Sequence, residues 1–267
     1  SYGDKQYFRS AAVQVPVSTK KTFSIVGNSL TSYYYCIGVQ WAYNYAAPGS
    51  SSTDHSWPKG EIRNNECVGG LYGIYVSNYS NSTGYEGMWG LNISENTIFT
   101  YAPAGRVPGQ FAGVTGAGGS TGTYTRNWQE NDLRGIWVRI DNTELANSGG
   151  GKVRGVHIQN NHISGPALTQ SLQGGTQTTY SSQGILLGTS GLRTGNSVIY
   201  QSSVKNNFIA SYTVGLYSYA SGSDTTRSIW GASVVANNYM ADVNNWFNVY
   251  NQFIATSSNR SYDNYVS

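Results

Sequence analysis

One hexapeptide recurs along the chain: an aliphatic residue, any residue, a small or polar residue, Asn, any residue, an apolar residue. Its six copies span 25–30, 62–67, 93–98, 158–163, 204–209 and 235–240. A second motif follows five of them: Gly, an aliphatic residue, any residue, then usually a third apolar residue. It starts at Gly38, Gly73, Gly135, Gly184 and Gly215. A unit this short cannot bury an apolar face alone, so the copies must stack on one another.

The spacing says how. From Gly to the next repeated Asn takes 27, 23, 26, 23 and 23 residues, and from Asn to the following Gly 10, 8, 39, 23 and 8. One arm is nearly constant. The other is short except for two insertions, 99–134 and 164–183. Short strands with period-2 alternation, coiled so that identical positions stack about 4.8 Å apart, account for both arms. Asn at a turn tolerates the left-handed conformation, and stacked asparagines hydrogen-bond to each other. The reading is a ladder of Asn28, Asn65, Asn96, Asn161, Asn207 and Asn238. Ile62, Ile93, Ile158, Val204, Val235, Ile74, Val76, Ile136 and Val138 point inward. Cys67 shares an inward column with Ile98, Ile163 and Ile209, as a core thiol.

Composition excludes several classes. Lys and Arg total 16 and Asp and Glu 13, for a net charge of +3, and charged residues are only 11%. That is too few for a helical bundle, and the basic residues form no cluster for nucleic acid. No apolar run approaches the roughly 18 residues of a membrane span. The 22 Tyr and 7 Trp in a polar, uncharged background suit sugars. Two cysteines, Cys36 and Cys67, are too few for a disulfide framework or a zinc site. No cofactor or metal is called for.

The alternation of I-x-N-N-x-I with G-I-x-V resembles the right-handed, single-stranded parallel β-helix of pectate lyases and phage tailspike depolymerases. It covers about 23–250. The fold expected is all-β: one β-helix domain over 1–267, of about six coils with two long loop insertions. Residues 1–22 are a lead-in strand or incomplete first coil, 23–240 the coils and 241–267 a final coil or cap. No N-terminal capping helix is seen, which fits a piece of a longer spike. The resemblance implies a homotrimer on a virion tail, or a secreted protein, with a bacterial capsular or O-antigen polysaccharide as partner. It implies neither nucleic-acid binding nor membrane insertion.

The resemblance also implies a groove along the second-motif strand, walled by 99–134, 164–183 and the loop after 139. The outward stripe on that strand reads Gln40, Tyr75, Trp137, Leu186 and Tyr217. Such a ridge is either a sugar-stacking platform or a trimer interface. Glycoside hydrolysis usually needs two carboxylates, about 5–5.5 Å apart for retention and 6.5–9.5 Å for inversion. Glu130, Asp132 and Asp141 form the densest acid group around the groove, as acid and base or nucleophile, against a reading as solvated loop charges. Tyr75, Trp128, Trp137 and Tyr217 are expected to stack on sugar rings, and Arg134 and Arg139 to hold acidic groups. A second column, Ser24, Glu61, Asn92, His157, Ser203 and Val234, could do acid–base work, with Glu66, Glu95 and His162 nearby. It reads more simply as a polar β surface. The function expected is depolymerisation of a surface polysaccharide by hydrolysis. The alternatives are a β-eliminating lyase and a segment that binds glycan without cleaving it.

Overall fold

The computed structural model describes residues 11–16, 22–32, 35–43, 60–69, 72–80, 90–100, 110–111, 124–125, 133–141, 152–165, 182–190, 198–220, 228–231, 233–250, 253–254, 260–262 and 264–266. All regular structure among them is β, and the strands coil into a parallel β-helix. One face is a seven-stranded sheet running from Phe23–Val26 to Arg260–Tyr262. After a tight turn come short strands such as Glu66–Val68 and Thr97–Phe99, which stack into a second face. The chain then bends into long strands, Tyr35–Tyr43, Tyr72–Ser80, Arg134–Asp141 and Gln183–Ser190, which stack into a third. Phe208–Ala220 and Tyr239–Tyr250 run through both faces without a break. Lys152–Arg154, Val198–Tyr200, Ser228–Gly231 and Phe253–Ile254 form a separate four-stranded sheet. The strand Ala11–Pro16 pairs with Tyr35–Tyr43 on the third face. All of these pairings are parallel. An antiparallel pair, Gln110–Phe111 with Tyr124–Thr125, lies within the first insertion.

The turn between the first two faces carries the repeated asparagine. Each ladder Asn is buried from Asn65 to Asn238, between 0% and 2% exposed. Its Oδ1 accepts from the backbone N–H and the Nδ2 of the Asn one coil earlier. Asn161 Oδ1 takes Asn96 N at 3.0 Å and Asn96 Nδ2 at 2.9 Å. Its own Nδ2 donates back to Ile93 O at 2.9 Å and forward to Asn207 Oδ1 at 3.0 Å. Every lone pair and proton of the buried amide is used, which is why the side chain can be buried at all. The left-handed conformation belongs to the residue before the ladder Asn, not to the ladder Asn itself. Asn64, Glu95, Asn160, Asn206 and Asn237 have φ between 54° and 58°. The Asn-Asn doublet therefore divides its work: the first residue turns the chain, and the second bonds the coils. A seventh rung, Asn264, continues the ladder by accepting from Asn238 Nδ2 at 2.9 Å.

The inward columns follow the sequence reading. Ile62, Ile93 and Ile158 are fully buried, Val204 and Val235 nearly so. Cys67, Ile98, Ile163 and Ile209 are in register and all fully buried. One column needs correction. Tyr35 pairs with Tyr72 and Ile37 with Ile74, so the residue in the slot of Gly73 is Cys36, not Gly38. The stripe member in line with Tyr75 is Gly38, and Gln40 lines up with Ser77. With Cys36 in the slot, the interval from Asn28 becomes eight residues, as it is from Asn65 to Gly73 and Asn207 to Gly215.

Replacing Asn161 by Ala leaves Asn96 N–H and Nδ2 without their acceptor inside the core. The expected loss is about 3–5 kcal/mol in urea denaturation. Asn28→Ala, at a half-buried position with one neighbouring rung, should cost about 1 kcal/mol. Equal losses at the two positions would contradict a ladder whose cost lies in buried, doubly used amides.

Candidate functional site

The two insertions leave and rejoin the helix on neighbouring coils, and their roots are tied by polar contacts. The first leaves after Thr100 and the second after Gly165. Between them stands Tyr212, fully buried, from the next coil along. Its OH lies 2.7 Å from Thr100 Oγ1 and donates to Ser164 O at 3.1 Å. Burial pushes its pKa up and the Thr100 bond moderates the rise, so the phenol stays neutral and keeps its proton for these bonds. One buried side chain thus reaches across two coils to fix both points of departure. On return, the insertions lead into Arg134–Asp141 and Gln183–Ser190, side by side in register Arg134 to Gln183. Arg134 Nε donates to Gln183 Oε1 at 2.9 Å.

Around Arg134 the outward side chains of the third face form an aromatic cluster. Trp137 follows Arg134 on its strand and Tyr75 pairs with it one coil back. Tyr75 and Trp137 have ring centroids 4.7 Å apart. Tyr35 stacks on Tyr75 at 4.9 Å with 14° between planes, in the space left by Gly38. Tyr72 meets Trp137 at 5.2 Å. The Arg134 guanidinium lies 4.0 Å from the Trp137 ring centroid and 5.3 Å from that of Tyr72. The guanidinium thus packs against both rings at once, held by cation–π attraction, while its Nε is engaged by Gln183.

The sequence-predicted residues fall into three groups. Glu130, Asp132 and Trp128 lie outside the described residues. Arg139 and Asp141 occupy strand positions paired with Ser77 and Tyr79, while their side chains lie outside the described ones. Tyr75, Arg134, Trp137 and Tyr217 are described. Tyr75 is 2% and Trp137 8% exposed, and their faces meet Tyr35, Tyr72 and Arg134. Arg134 and Tyr217 are half-buried, with Leu186 between Trp137 and Tyr217 in the stripe.

A second file of aromatics lies on the short-strand face. His162, Phe208, Tyr239 and Tyr265 are in register on successive coils. His162 and Phe208 are 4.5 Å apart by centroid, and Phe208 stacks on Tyr239 at 5.5 Å and 10°. Tyr239 is 43% and Tyr265 61% exposed, so this file, unlike the buried pair of the third face, offers ring surface to solvent. Each of these residues immediately follows a ladder Asn, a position whose side-chain types could have been collected from the repeat.

The polar column on the seven-stranded face is in the predicted register: Ser24, Glu61, Asn92, His157, Ser203, Val234. Its groups bond to their neighbours. Glu61 takes Arg63 Nε at 2.9 Å and Ser24 Oγ at 3.4 Å, and Glu95 faces Arg63 at 3.6 Å. His157 Nδ1 lies 2.8 Å from Ser203 Oγ. Partial loss of water around its ring, and then the Lys205 charge, lower the His157 pKa. Glu66 accepts from Ser29 at 3.2 Å on the next face. Glu61 and His157 are separated by the Asn92 rung. Among the described residues no group of three His, Cys, Asp or Glu could hold a metal ion.

No family model matches the chain, and neither the curated proteins nor the solved structures give a match.

Tyr212→Phe removes the hydroxyl that joins Thr100 and Ser164. It should destabilise the fold by about 1–2 kcal/mol in urea denaturation. Combined with Thr100→Val, the double-mutant cycle should show coupling of about 1 kcal/mol. Additive losses would mean that the two groups do not act on each other.

Proposed function

We propose that this chain recognises and depolymerises a bacterial surface polysaccharide, capsule or O-antigen, in the manner of phage tailspikes, by glycoside hydrolysis. The observation that carries the reading is the anchoring of both insertions on one side of the β-helix. A rigid scaffold that fixes long loops beside an aromatic and guanidinium cluster is a common way to build a ligand site. Glu130 and Asp132, in the first insertion, and Asp141, on the strand it leads into, are the proposed acid and base or nucleophile. Arg134 and Arg139 hold anionic groups of the glycan. Trp128 and Tyr217 pack on sugar rings, and Tyr75 and Trp137 support the platform from beneath. The working assembly is a homotrimer on a virion tail.

A reading as a glycan receptor without cleavage is favoured by one observation, the solvent-exposed file of His162, Phe208, Tyr239 and Tyr265. In that reading the ring edges and the Tyr239 and Tyr265 hydroxyls would meet the sugar, and no acid is needed.

Incubation with a panel of capsular and O-antigen polysaccharides, followed by mass spectrometry, separates these readings. Hydrolysis predicts defined oligosaccharides with one water added per cut. Loss of at least about 100-fold in rate is expected for Glu130→Gln, Asp132→Asn or Asp141→Asn. Products without added water would establish elimination instead. Binding without products would leave the receptor reading, and neither binding nor products would contradict both.

A further inference from the structure

The chain's two cysteines do not sit in unrelated places. Cys36 occupies the slot that is Gly73, Gly135, Gly184 and Gly215 on the later coils. Cys67 occupies the column that is otherwise Leu30, Ile98, Ile163, Ile209 and Met240. On the later coils these two columns press on each other. A Cβ built on Gly73 would collide with the Ile98 Cγ2 methyl, one on Gly135 with Ile163 Cγ2, and one on Gly184 with Ile209 Cγ2. Each time the glycine of one coil faces the branched side chain of the next. Cys36 and Cys67 stand in that same relation, a larger residue replacing glycine where a smaller one replaces isoleucine.

We propose that Cys36 and Cys67 form a disulfide that staples the first coil to the second. The collision at Gly73 puts its Cβ position within about 4 Å of Ile98 Cβ, since Cγ2 is one bond from it. Transferred by register to Cys36 and Cys67, that upper bound brings the two Cβ positions within disulfide reach, where separations run roughly 3.5–4.5 Å. Both thiols are free in this structure and fully buried, and the Cys36 thiol also points at Leu30 O, 3.8 Å away. Its hydrogen bond to Cys36 and its burial push the Cys67 thiol far up, so in the closed core it is no nucleophile. Exchange therefore belongs to the folding chain or to an opened first coil. The oxidant is a low-molecular-weight disulfide. One cysteine thiolate attacks it, forming a mixed disulfide and releasing one small thiolate. The second cysteine thiolate displaces the other small thiolate and closes the S–S bond, with each protein sulfur oxidised by one electron and each small sulfur reduced by one.

The test refolds the full chain in a buffer of oxidised and reduced glutathione, then reads thiols in denaturant and intact mass. The proposal predicts no titratable thiol, a mass lower by about 2 Da, and a non-reduced peptide joining 36 to 67. It predicts a higher thermal midpoint for the oxidised chain than for the reduced one. Cys36→Ser should instead fold with one titratable thiol, that of Cys67, and no loss of mass. The C36G/C67I double variant, which restores the pair used by the later coils, should fold with a midpoint indifferent to the oxidant. Two titratable thiols, persistent glutathione adducts on the unmutated chain, or a midpoint not raised by oxidation would each overturn the staple.

Discussion

The amide of a buried asparagine is the interaction on which this structure depends. A parallel β-helix has to make the same sharp turn on every coil, and each turn brings polar groups into the interior. Burying an amide without partners costs several kcal/mol by transfer estimates. Here each side chain finds its partners in its own copies one coil away, so the cost is offset only where the copies stack in register. The asparagines therefore do more than tolerate the coil. A coil displaced by one residue would leave three donors and two acceptor oxygens unmatched per rung, as at Asn96 and Asn161, and would turn the isoleucine columns outward. Hydrophobic burial supplies most of the free energy, while the ladder selects the register in which it is collected.

With the register fixed, irregularity has to leave the helix in controlled places. Both large insertions arise in the arm between the ladder and the long strands, on neighbouring coils. Tyr212 fastens their points of departure, and Arg134 and Gln183 meet where they return. The coil that carries Tyr212 has no insertion in this arm and runs unbroken from one face into the next. A regular coil is thus the fixed base against which two irregular ones are held, and the proposed glycan site is built on that difference.

The repeat made the fold legible, because identical residues at stacked positions reveal both the columns and their direction. It was less informative wherever a coil departs from the consensus. Gly38 sits near enough to the glycine slot to be mistaken for it, and the Cys36–Cys67 exchange of sizes becomes visible only when the columns are seen to touch. Asn264 departs from the consensus because Ser261 stands at the aliphatic position, although Tyr265 and Val266 complete the pattern. Tyr212 could not be found from the repeat, since its partners come from two coils interrupted by insertions. The strands that the insertions enter were legible, through the insertion lengths and the repeat that follows them. The packing of the candidate site's rings was not. Alternation marks Tyr75 and Trp137 as outward, and outward on a strand does not mean open to water when Tyr35, Tyr72 and Arg134 fold over it.

The central claim is that a continuous asparagine ladder holds the coils as one cooperative stack. Amide hydrogen exchange of the native chain, read by peptide mass spectrometry, tests it most directly. Peptides carrying Asn65, Asn96, Asn161, Asn207 and Asn238 should all exchange at one slow rate, that of global unfolding, and Asn161→Ala should accelerate the flanking rungs Asn96 and Asn207 together. Fast and independent exchange at individual rungs, with Asn161→Ala felt only at its own turn, would contradict the claim.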